Sequence, residues 1–525
     1  MSDIKLRTES IRDDEFIDLA VTNANDEKII AGLLSSEPCL LEGSRGTGKS
    51  FLMKMAHLDL DKNNDFISVY IPFNISSLIN TADPLQFYHW MLAKTLKTLL
   101  NKLRKKGLSV SSYSKGLLSN DTTEDDETIE NDLKNIVKLF ENSYKNKLEI
   151  NIDTLPDIED VKEAIQEICE ENCIKRVYFF FDEAAHVFRP KQQRQFFNLF
   201  KDLRSPYIVC NAAIYPGVTY FGDSFELIHD CLYQVLDRKI SDTDYLAYFK
   251  EMVFKQIDDK VKSQIDKQGG LFKTLVLSCA GNPRMLLNTI QNISSFKIAE
   301  VNKTIREFYL TKIWTEHTTL GDKYKGHQNL IDWGRDFLEK IVIPTVVSNE
   351  KSSIYFWIDK DIPETVKEAL RLLTYTSIIK KENSNIRAHG RLGTRYEIKY
   401  GCIIALDKNP YTKSVEIEKI RSVRQYTEFS KTHSEYDNIE NLSVAILSDE
   451  QYQKSLESML QQSIDVLSLT NWQKRKLKEE NINTIEELYI LKEADLIAKI
   501  YGVGPVKARI MKNAANAELL EYISG

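Results

Sequence analysis

Eight consecutive residues have the composition and spacing of a phosphate-binding loop. They are Gly43, Ser44, Arg45, Gly46, Thr47, Gly48, Lys49 and Ser50, which read G-x-x-x-x-G-K-S. Glycines let backbone N–H groups curl around a phosphate. The ammonium of Lys49 can reach the β and γ oxygens, and the hydroxyl of Ser50 can ligate Mg²⁺. A helical pattern follows the loop, and the N-terminus of a helix adds its own positive end. The alternative is a glycine-rich loop that only turns the chain.

A pair of carboxylates follows a second apolar run. Residues 176–181 read Arg-Val-Tyr-Phe-Phe-Phe and predict a strand buried on both faces of a parallel sheet. Asp182 and Glu183 stand at its carboxyl end, where such sheets bind ligands. We expect Asp182 to hold Mg²⁺ through its water shell and Glu183 to orient and polarise an attacking water. The alternative is a strand that ends in an acidic turn.

Two further polar residues are candidates for contact with a phosphate. Asn211 lies inside the apolar run 207–214, and a buried amide needs a partner. That partner is either the γ-phosphate or attacking water, or a backbone group. Arg284 follows Asn282 and Pro283, which suit the N-cap and the first turn of a helix. A cation there is unfavourable unless an anion offsets the helix dipole, so Arg284 is expected to meet a phosphate or a nearby carboxylate.

Five predicted strands would position these residues, at 38–41, 66–73, 176–183, 207–214 and 231–235. With helices between them, they predict a doubly wound α/β layer around a parallel sheet. About a hundred residues separate the second strand from the third. We expect an insertion at about 76–172 that holds helices at 87–106, 129–147 and 158–171, and a mobile loop at 107–131.

Length and composition limit the remaining possibilities. A chain of 525 residues is expected to form three or four domains. The net charge of −7 excludes a polycation, so any nucleic-acid surface must be local. No run is long enough for a transmembrane helix, and no signal-like start is present, so the expected location is the cytosol. Cys169 and Cys173 have no second pair or histidine cluster, and we interpret them as reduced core thiols.

Residues 301–410 resemble a winged-helix domain. Residues 363–376 predict a helix, and 377–405 predict a hairpin that turns through Gly390 and Gly393. Between Ile378 and Cys402 there are six basic and two acidic residues, a local charge of +4 that includes Arg391 and Arg395. A positive wing could bind DNA phosphates. An ordinary solvated hairpin is the alternative.

The last segment, 463–525, resembles a helix-hairpin-helix domain of DNA repair proteins. Gly502 and Gly504 would form a tight hairpin whose N–H groups hold a phosphate, with Lys507 and Arg509 beside it. The segment nevertheless carries nine basic and nine acidic residues, so it is neutral. A protein partner is therefore the alternative to DNA. The predicted division has five parts. Residues 1–240 form the nucleotide core, 241–300 a helical lid and 301–410 the winged-helix-like domain. Residues 411–462 form a linker with helices, and 463–525 form the helix-hairpin-helix domain.

The phosphate loop, the acidic pair, Asn211 and the run Gly281-Asn282-Pro283-Arg284 stand in the order found in AAA+ ATPases. The chain resembles the origin-recognition and archaeal replication-initiator branch, and is similar to the related STAND signalling ATPases. The resemblance implies a nucleotide core, a helical lid and a DNA-binding winged helix. It makes Lys49 and Ser50 Walker A residues, Asp182 and Glu183 Walker B residues, Asn211 sensor 1 and Arg284 sensor 2.

The chain departs from this pattern at one functional position. Residues 215–229 contain no arginine, although many members of the family place a trans-acting arginine finger there. Arg204 is the first alternative candidate for the arginine finger, and the other candidates are Arg189, Arg194 and Arg238. The insertion at 76–172 is also longer than the core of the family requires.

These observations favour an ATP- and Mg²⁺-dependent ATPase switch that acts on or with DNA, as a homo-oligomer and without a membrane. Its turnover is expected to be slow without a partner, which could be a helicase or nuclease protein. The alternative is a STAND-like signalling or antiviral-defence NTPase, which controls a separate effector protein through oligomerisation and whose C-terminal domain binds protein. A third possibility is a nucleotide-dependent scaffold that barely hydrolyses ATP.

Overall fold

The computed structural model describes most of the chain and divides it into two compact units. The described residues are 4–73, 84–119, 126–142, 155–184, 190–222, 224–323, 326–348, 354–420, 426–439 and 456–523. Unit 1 comprises Met1–Lys262 and Gly281–Asn288, and unit 2 comprises Ser263–Ala280 and Thr289–Gly525. Among the described residues, no helix is both long and apolar enough to cross a bilayer.

Unit 1 contains a parallel sheet of five strands in the order β2-β3-β4-β1-β5. The strands are β1 (Cys39–Glu42), β2 (Phe66–Pro72), β3 (Arg176–Asp182), β4 (Ile208–Ile214) and β5 (Leu232–Val235). The central strands β3 and β4 are buried, as their continuous apolar runs predict, whereas the edge strand β5 is largely exposed. The prediction of a doubly wound α/β core is confirmed.

Helices cover both faces of this sheet. The helices of unit 1 within residues 13–254 are α1 (Asp13–Leu19), α2 (Ala24–Leu33), α3 (Lys49–Asp61), α4 (Pro84–Lys106), α5 (Ser112–Ser119), α6 (Asp126–Asn142), α7 (Ile158–Glu171), α8 (Pro190–Asp202), α9 (Leu227–Asp230) and α10 (Tyr245–Phe254). Alternate residues of β3 supply the two layers of the core. Phe179 and Phe181 pack with Trp90 of α4 on one face, and Tyr178 and Phe180 pack with the α2 and α3 side on the other.

The insertion is more ordered than the sequence predicts. The polar segment at 107–131 was expected to be a mobile loop, but α5 forms within it. The hydroxyl of Ser111 accepts a hydrogen bond from the Ser114 amide at 3.1 Å, which is N-cap geometry, and Leu118 is fully buried. The prediction of a loop is therefore wrong for 112–119 and for 126–131, which lies in α6, and residues 120–125 lie outside the described part of the chain.

Unit 2 is largely helical and contains a small mixed sheet. Its strands, in the order β7-β8-β6-β9, are β6 (Tyr355–Asp359), β7 (Ile379–Ala388), β8 (Arg391–Ile398) and β9 (Thr427–Phe429). The hairpin β7–β8 follows the prediction, but β6 and β9 were not predicted.

The chain passes from unit 1 to unit 2 within α11 (Asp259–Lys267). The next helices are α12 (Gly269–Ser278), α13 (Pro283–Asn292), α14 (Ile298–Arg306), α15 (Ile313–Thr318), α16 (Leu320–Lys323), α17 (Gln328–Asp336) and α18 (Ile343–Ser348). π-helical turns, Glu307–Lys312 and Phe337–Val342, join α14 to α15 and α17 to α18. The later helices are α19 (Glu364–Tyr375), α20 (Tyr400–Ala405), α21 (Pro410–Ile420), α22 (456–460), α23 (Asn471–Glu479), α24 (Ile485–Ile490), α25 (Glu493–Lys499) and α26 (Pro505–Ile523).

The predicted lid at 241–300 does not form one body. Helix α10 and residues 281–288 belong to unit 1, whereas α12 and α14 belong to unit 2. The reason is local bonding. The Asn282 side chain and the Arg284 amide donate to carbonyls of the phosphate loop, while α12 packs against α14, α20 and α21.

Candidate phosphate-binding site

The predicted phosphate loop joins β1 to α3 at the carboxyl edge of the parallel sheet. Gly46 and Gly48 have φ angles of +84° and +102°, in the left-handed region that favours glycine. A Cβ at Gly46 would lie 2.8 Å from Oδ1 of Asn282, so another residue would not fit without movement. The Thr47 hydroxyl donates to the Ser44 carbonyl at 2.8 Å and closes the loop on itself.

Lys49 is buried at the centre of this loop. Its ammonium donates to the carbonyls of Gly43 and Ser44, and it lies 3.9 Å from the centre of the Tyr215 ring. Burial lowers the pKa of Lys49 to about 7, although the neighbouring Asp182 carboxylate acts in the opposite direction. An anion placed here would favour the ammonium form, because it would offset the cost of burying that charge.

Ser50 and Asp182 meet at the same edge, although 132 residues separate them in sequence. The Ser50 hydroxyl donates to Oδ1 of Asp182 at 3.1 Å, and the Tyr70 hydroxyl donates to Oδ2 at 2.6 Å. Burial raises the pKa of Asp182, and these two donors lower it. The structure therefore brings the loop and the acidic strand end together.

Glu183 lines the same cavity, one residue beyond the end of β3. Its φ of +60° is in the left-handed region, which is uncommon for a residue with a side chain. The Glu183 amide donates to Oδ1 of Asp182 at 3.0 Å. Burial raises the pKa of the Glu183 carboxyl, and the Asp182 carboxylate raises it further. A strained residue with a perturbed carboxyl in a cleft is typical of a functional position.

The oxygen atoms at this edge fit Mg²⁺. Ser50 and Asp182 supply a hydroxyl and a carboxylate oxygen 3.1 Å apart, and these two residues would hold the ion, Asp182 through the water shell of the ion. Mg²⁺ bound by one or two protein oxygens normally completes its octahedron with phosphate oxygens and water.

The segment before α13 holds the loop from one side, and the predicted cap is confirmed. Oδ1 of Asn282 accepts from the Met285 amide at 3.2 Å, while Nδ2 donates to the Arg45 carbonyl at 2.8 Å. The Arg284 amide donates to the Gly46 carbonyl at 3.3 Å. Burial, and then Arg45, lowers the pKa of the Arg284 guanidinium. Arg45, Lys49 and Arg284 thus line one cavity and make it suited to an anion.

The cavity also has an apolar wall. The sequence analysis missed part of its wall. The N-terminal segment, here residues 4–21, contributes Leu6, Ile11, Leu19 and Val21, and it is attached to α3 by stacking of Phe16 on Phe51 with ring centroids 4.3 Å apart. The apolar side chains of this segment carry no local motif, so only the structure identifies them.

Asn211 does not reach this site, and its predicted contact with phosphate is corrected here. Asn211 is aligned with Cys39, at the start of β1, whereas the phosphate loop begins after Glu42. Its Nδ2 donates to the Leu33 carbonyl at 3.0 Å, and its Oδ1 has no hydrogen-bond partner among the described residues. The backbone partner that was the other alternative is the one observed.

The candidate finger residues have different positions. Arg204 lies beside the amino end of β4, 3.9 Å from the Glu37 carboxylate and away from the loop, so its role stays a prediction. Arg194 contacts the loop around Gly222 from α8, and Arg189 lies outside the described residues. The prediction of Arg238 as a candidate trans-acting finger is wrong. Its side chain is only 4% exposed, so it cannot reach a neighbouring molecule.

Arg238 instead holds the phosphate loop within the chain. Its Nη2 pairs with Oδ1 of Asp26 at 2.7 Å, and its Nη1 donates to the Thr47 carbonyl at 2.7 Å. The ring of Tyr248 lies 4.8 Å from the Arg238 guanidinium carbon.

The predicted DNA residues all lie in unit 2. Arg391 pairs with Asp359 and Glu428, each at 3.4 Å, and Arg395 lies over the Tyr355 ring. In the turn between α25 and α26, Gly502 has φ +82°, and the Lys507 ammonium donates to its carbonyl at 3.0 Å. Gly504 immediately precedes α26, and a Cβ there would meet nothing within 4 Å.

Arg509 is engaged inside unit 2. Its guanidinium pairs with Glu493 and donates to the carbonyls of Asp361 and Lys431. These interactions use Nε and Nη1, and the contact of Arg509 with a DNA phosphate stays a prediction.

Comparisons with known proteins give limited similarity. No protein-family model matches the chain, and the search of curated proteins gives no match. Among solved structures, the Walker-type ATPase PABY2304 of Pyrococcus abyssi is 14% identical, with a TM-score of 0.37, over 78% of this chain and 97% of that chain. Cdc6p from Pyrobaculum aerophilum is 10% identical, with a TM-score of 0.31, over 78% and 99%. At these values, the similarity identifies neither a family nor an activity.

Proposed function

We propose that this chain is an ATP-binding and ATP-hydrolysing P-loop switch of the AAA+ type. The observation that carries the proposal is the hydrogen bond between Ser50 and Asp182 at 3.1 Å, with Lys49 and Glu183 lining the same cavity. A turn-forming loop and an unrelated acidic turn would have no reason to meet at one edge of the sheet. Phosphoryl transfer requires this combination of loop, lysine, metal ligands and water-positioning carboxylate.

Each group has a defined role in binding ATP. The loop amides and the N-terminus of α3 bind the phosphates. The Lys49 ammonium exchanges its carbonyl acceptors for the β and γ oxygens, and Arg284 contacts the terminal phosphate. The apolar wall of the N-terminal segment, with Met252 and Leu287, suits a purine base. Mg²⁺, held by Ser50 and Asp182, neutralises charge on the phosphate oxygens when bound.

Hydrolysis would use Glu183 to orient water. The Glu183 carboxylate accepts a hydrogen bond from the water whose oxygen forms a bond to the γ-phosphorus. The bond from that phosphorus to the β–γ bridging oxygen breaks, and ADP leaves with its electron pair. The proton of the water passes to the released phosphate. Because this chemistry depends mainly on positioning and charge, a missing partner group would leave turnover slow.

The test uses two substitutions in the site and one control. Lys49→Ala should abolish ATP binding, because it removes the cation nearest the phosphates. Glu183→Gln should bind ATP without turnover, because a neutral amide is a weaker hydrogen-bond acceptor than a carboxylate and does not polarise the water. Lys62→Ala, at the exposed C-terminal end of α3, should behave as wild type in calorimetry and phosphate-release assays. Unimpaired hydrolysis in both site variants would refute the assignment.

We further propose that the switch acts on or with DNA through the β7–β8 hairpin. Lys381 and Arg387 are exposed on this hairpin, whereas Arg391 is engaged in ion pairs, which reduces the charge available to DNA. Filter binding at several salt concentrations tests the proposal. Replacing both exposed residues by alanine should lower the slope of log affinity against log salt by about 2, and Lys408→Ala should leave it unchanged. A wild-type protein without a salt slope would exclude this mode.

A signalling NTPase with a protein partner is the second candidate. Tyr501, Val506 and Ile510 are exposed around the turn of unit 2, while Lys507 and Arg509 bond within the unit. An exposed apolar face whose two predicted cations each bond within the unit favours a protein over a DNA phosphate. Light scattering with ATP and with ADP tests this candidate, which requires the mass of the assembly to change with the nucleotide. The same mass in both nucleotides would exclude control by oligomerisation.

A further inference from the structure

Tyr215, which directly follows β4, is a polar residue that lies level with the start of the phosphate loop. Leu41 and Glu42 of β1 are aligned with Ala213 and Ile214 of β4, and the Gly43 amide donates to the Ile214 carbonyl at 3.3 Å. The residue after Ile214 is therefore level with the start of the loop. Asn211 is four positions earlier, about 13 Å back along the strand.

Tyr215 is held rigidly in this position. The Thr219 hydroxyl accepts from the Tyr215 amide at 3.3 Å and donates to its carbonyl at 2.7 Å, which closes a tight turn after β4. The side chain is 5% exposed and lines the cavity. A buried tyrosine normally directs its hydroxyl to a polar partner, so its surroundings indicate what it contacts.

The surroundings of Tyr215 are the two cations assigned to the phosphates. The Lys49 ammonium lies 3.9 Å from the ring centre, a distance at which a cation and an aromatic face attract. Arg284 is also close enough to interact electrostatically with Tyr215. The tyrosine thus lies beside the lysine of the loop and near the arginine of α13, directly after β4, which is the strand next to β3.

We propose that the Tyr215 hydroxyl donates a hydrogen bond to the terminal phosphate of bound ATP and makes the site prefer ATP to ADP. This inference rests on the proposed function. A phenol is neutral near pH 7 and can donate one hydrogen bond to a phosphate oxygen without adding charge. Its ring supports Lys49, and its hydroxyl distinguishes a triphosphate, which reaches Arg284, from a diphosphate, which does not.

Tyr215→Phe separates these two contributions, because it removes the hydroxyl and keeps the ring. A hydrogen bond to a charged acceptor predicts a loss of about 10- to 100-fold in the preference for ATP over ADP, with ADP affinity unchanged. The rate constant kcat should also fall. Tyr207→Phe is the matched control, because it removes a hydroxyl at the amino end of the same strand, where the partner is Glu170. An unchanged melting temperature shows that the fold is retained.

Calorimetry of ATP and ADP binding to wild type, Tyr215→Phe and Tyr207→Phe tests whether the Tyr215 hydroxyl causes the preference for ATP. An unchanged preference in Tyr215→Phe overturns the inference. Equal weakening of ATP and ADP also overturns it, because the residue would then only support the loop. Failure of wild-type protein to bind either nucleotide would instead overturn the proposed function, and the role of Tyr215 with it.

Discussion

Replacing Arg238 by methionine should loosen the phosphate loop while it leaves Lys49, Ser50 and Arg284 unchanged. The guanidinium pairs with Asp26 in a region where the two side chains are 4% and 0% exposed. It also donates to the Thr47 carbonyl. Methionine keeps much of the length of the side chain but removes both interactions, and it leaves the Asp26 carboxylate buried without its cation.

The expected cost comes mainly from that carboxylate. Breaking a buried ion pair by removing one partner costs about 3–5 kcal/mol. The Asn23 amide, 3.4 Å from Oδ2, and the Tyr248 hydroxyl still donate to Asp26, so the lower value applies. The Thr47 carbonyl loses its donor as well, which adds about 1 kcal/mol. The free energy of opening the loop should therefore fall by about 4 kcal/mol. This lowers the protection of the loop amides against hydrogen exchange by nearly a thousandfold.

Hydrogen exchange measured by mass spectrometry resolves this effect because it reports opening segment by segment. Peptides that cover 39–61 should exchange faster in Arg238→Met, while peptides that cover α19 in unit 2 serve as the internal reference. The double variant Asp26→Asn/Arg238→Met should be less destabilised than Arg238→Met alone, because it buries no unpaired charge. Protection within threefold of wild type in Arg238→Met, or a double variant worse than Arg238→Met, would refute the argument.

Two further predictions concern pH and a close backbone contact. Because burial lowers the pKa of Lys49 to about 7 and phosphate requires the ammonium, ATP affinity should fall about tenfold per pH unit above 7, with proton uptake that calorimetry in two buffers detects. Without nucleotide, the pH dependence has the opposite sign. The free energy of unfolding should rise from pH 7 towards 10.5, because Lys49 loses its buried charge in the folded protein while it is still charged in the unfolded chain. A Cβ at Gly393 would lie 2.3 Å from the Ile358 carbonyl oxygen and the Trp357 ring. Gly393→Ala should therefore cost about 1–3 kcal/mol, whereas Gly269→Ala, with nothing within 4 Å, should not lower the melting temperature.

Local patterns predicted the parts of the fold that local physics determines. The apolar run at 176–181 predicted β3 because a strand covered on both faces needs apolar residues at every position. The phosphate loop was recognisable because its glycines and lysine are adjacent in sequence. By contrast, β9 has only three residues, and its existence depends on pairing with β6 about seventy residues earlier. No periodicity is detectable over so short a run.

The error at Asn211 has a specific physical cause. A polar residue in an apolar strand signals a partner, but it does not show how far along the strand the ligand lies. That depends on register with β1, which places Asn211 beside Cys39 and Tyr215 beside the loop. Arg238 was misjudged for a similar reason, because its partner Asp26 is 212 residues away in sequence. Only the tertiary structure shows that this arginine is buried in its own chain.

The positions that sequence patterns missed explain why the loop is preorganised. Three successive carbonyls of the loop each accept a hydrogen bond from elsewhere in unit 1: Arg45 from Asn282, Gly46 from the Arg284 amide and Thr47 from Arg238. With its carbonyls fixed outward, the loop need not reorganise to turn amide groups toward an anion, which saves part of the cost of binding. Two of the three donors belong to residues 281–288. A displacement of that segment would release two loop carbonyls and withdraw Arg284 from the cavity together, so phosphate binding and the position of the segment are thermodynamically linked.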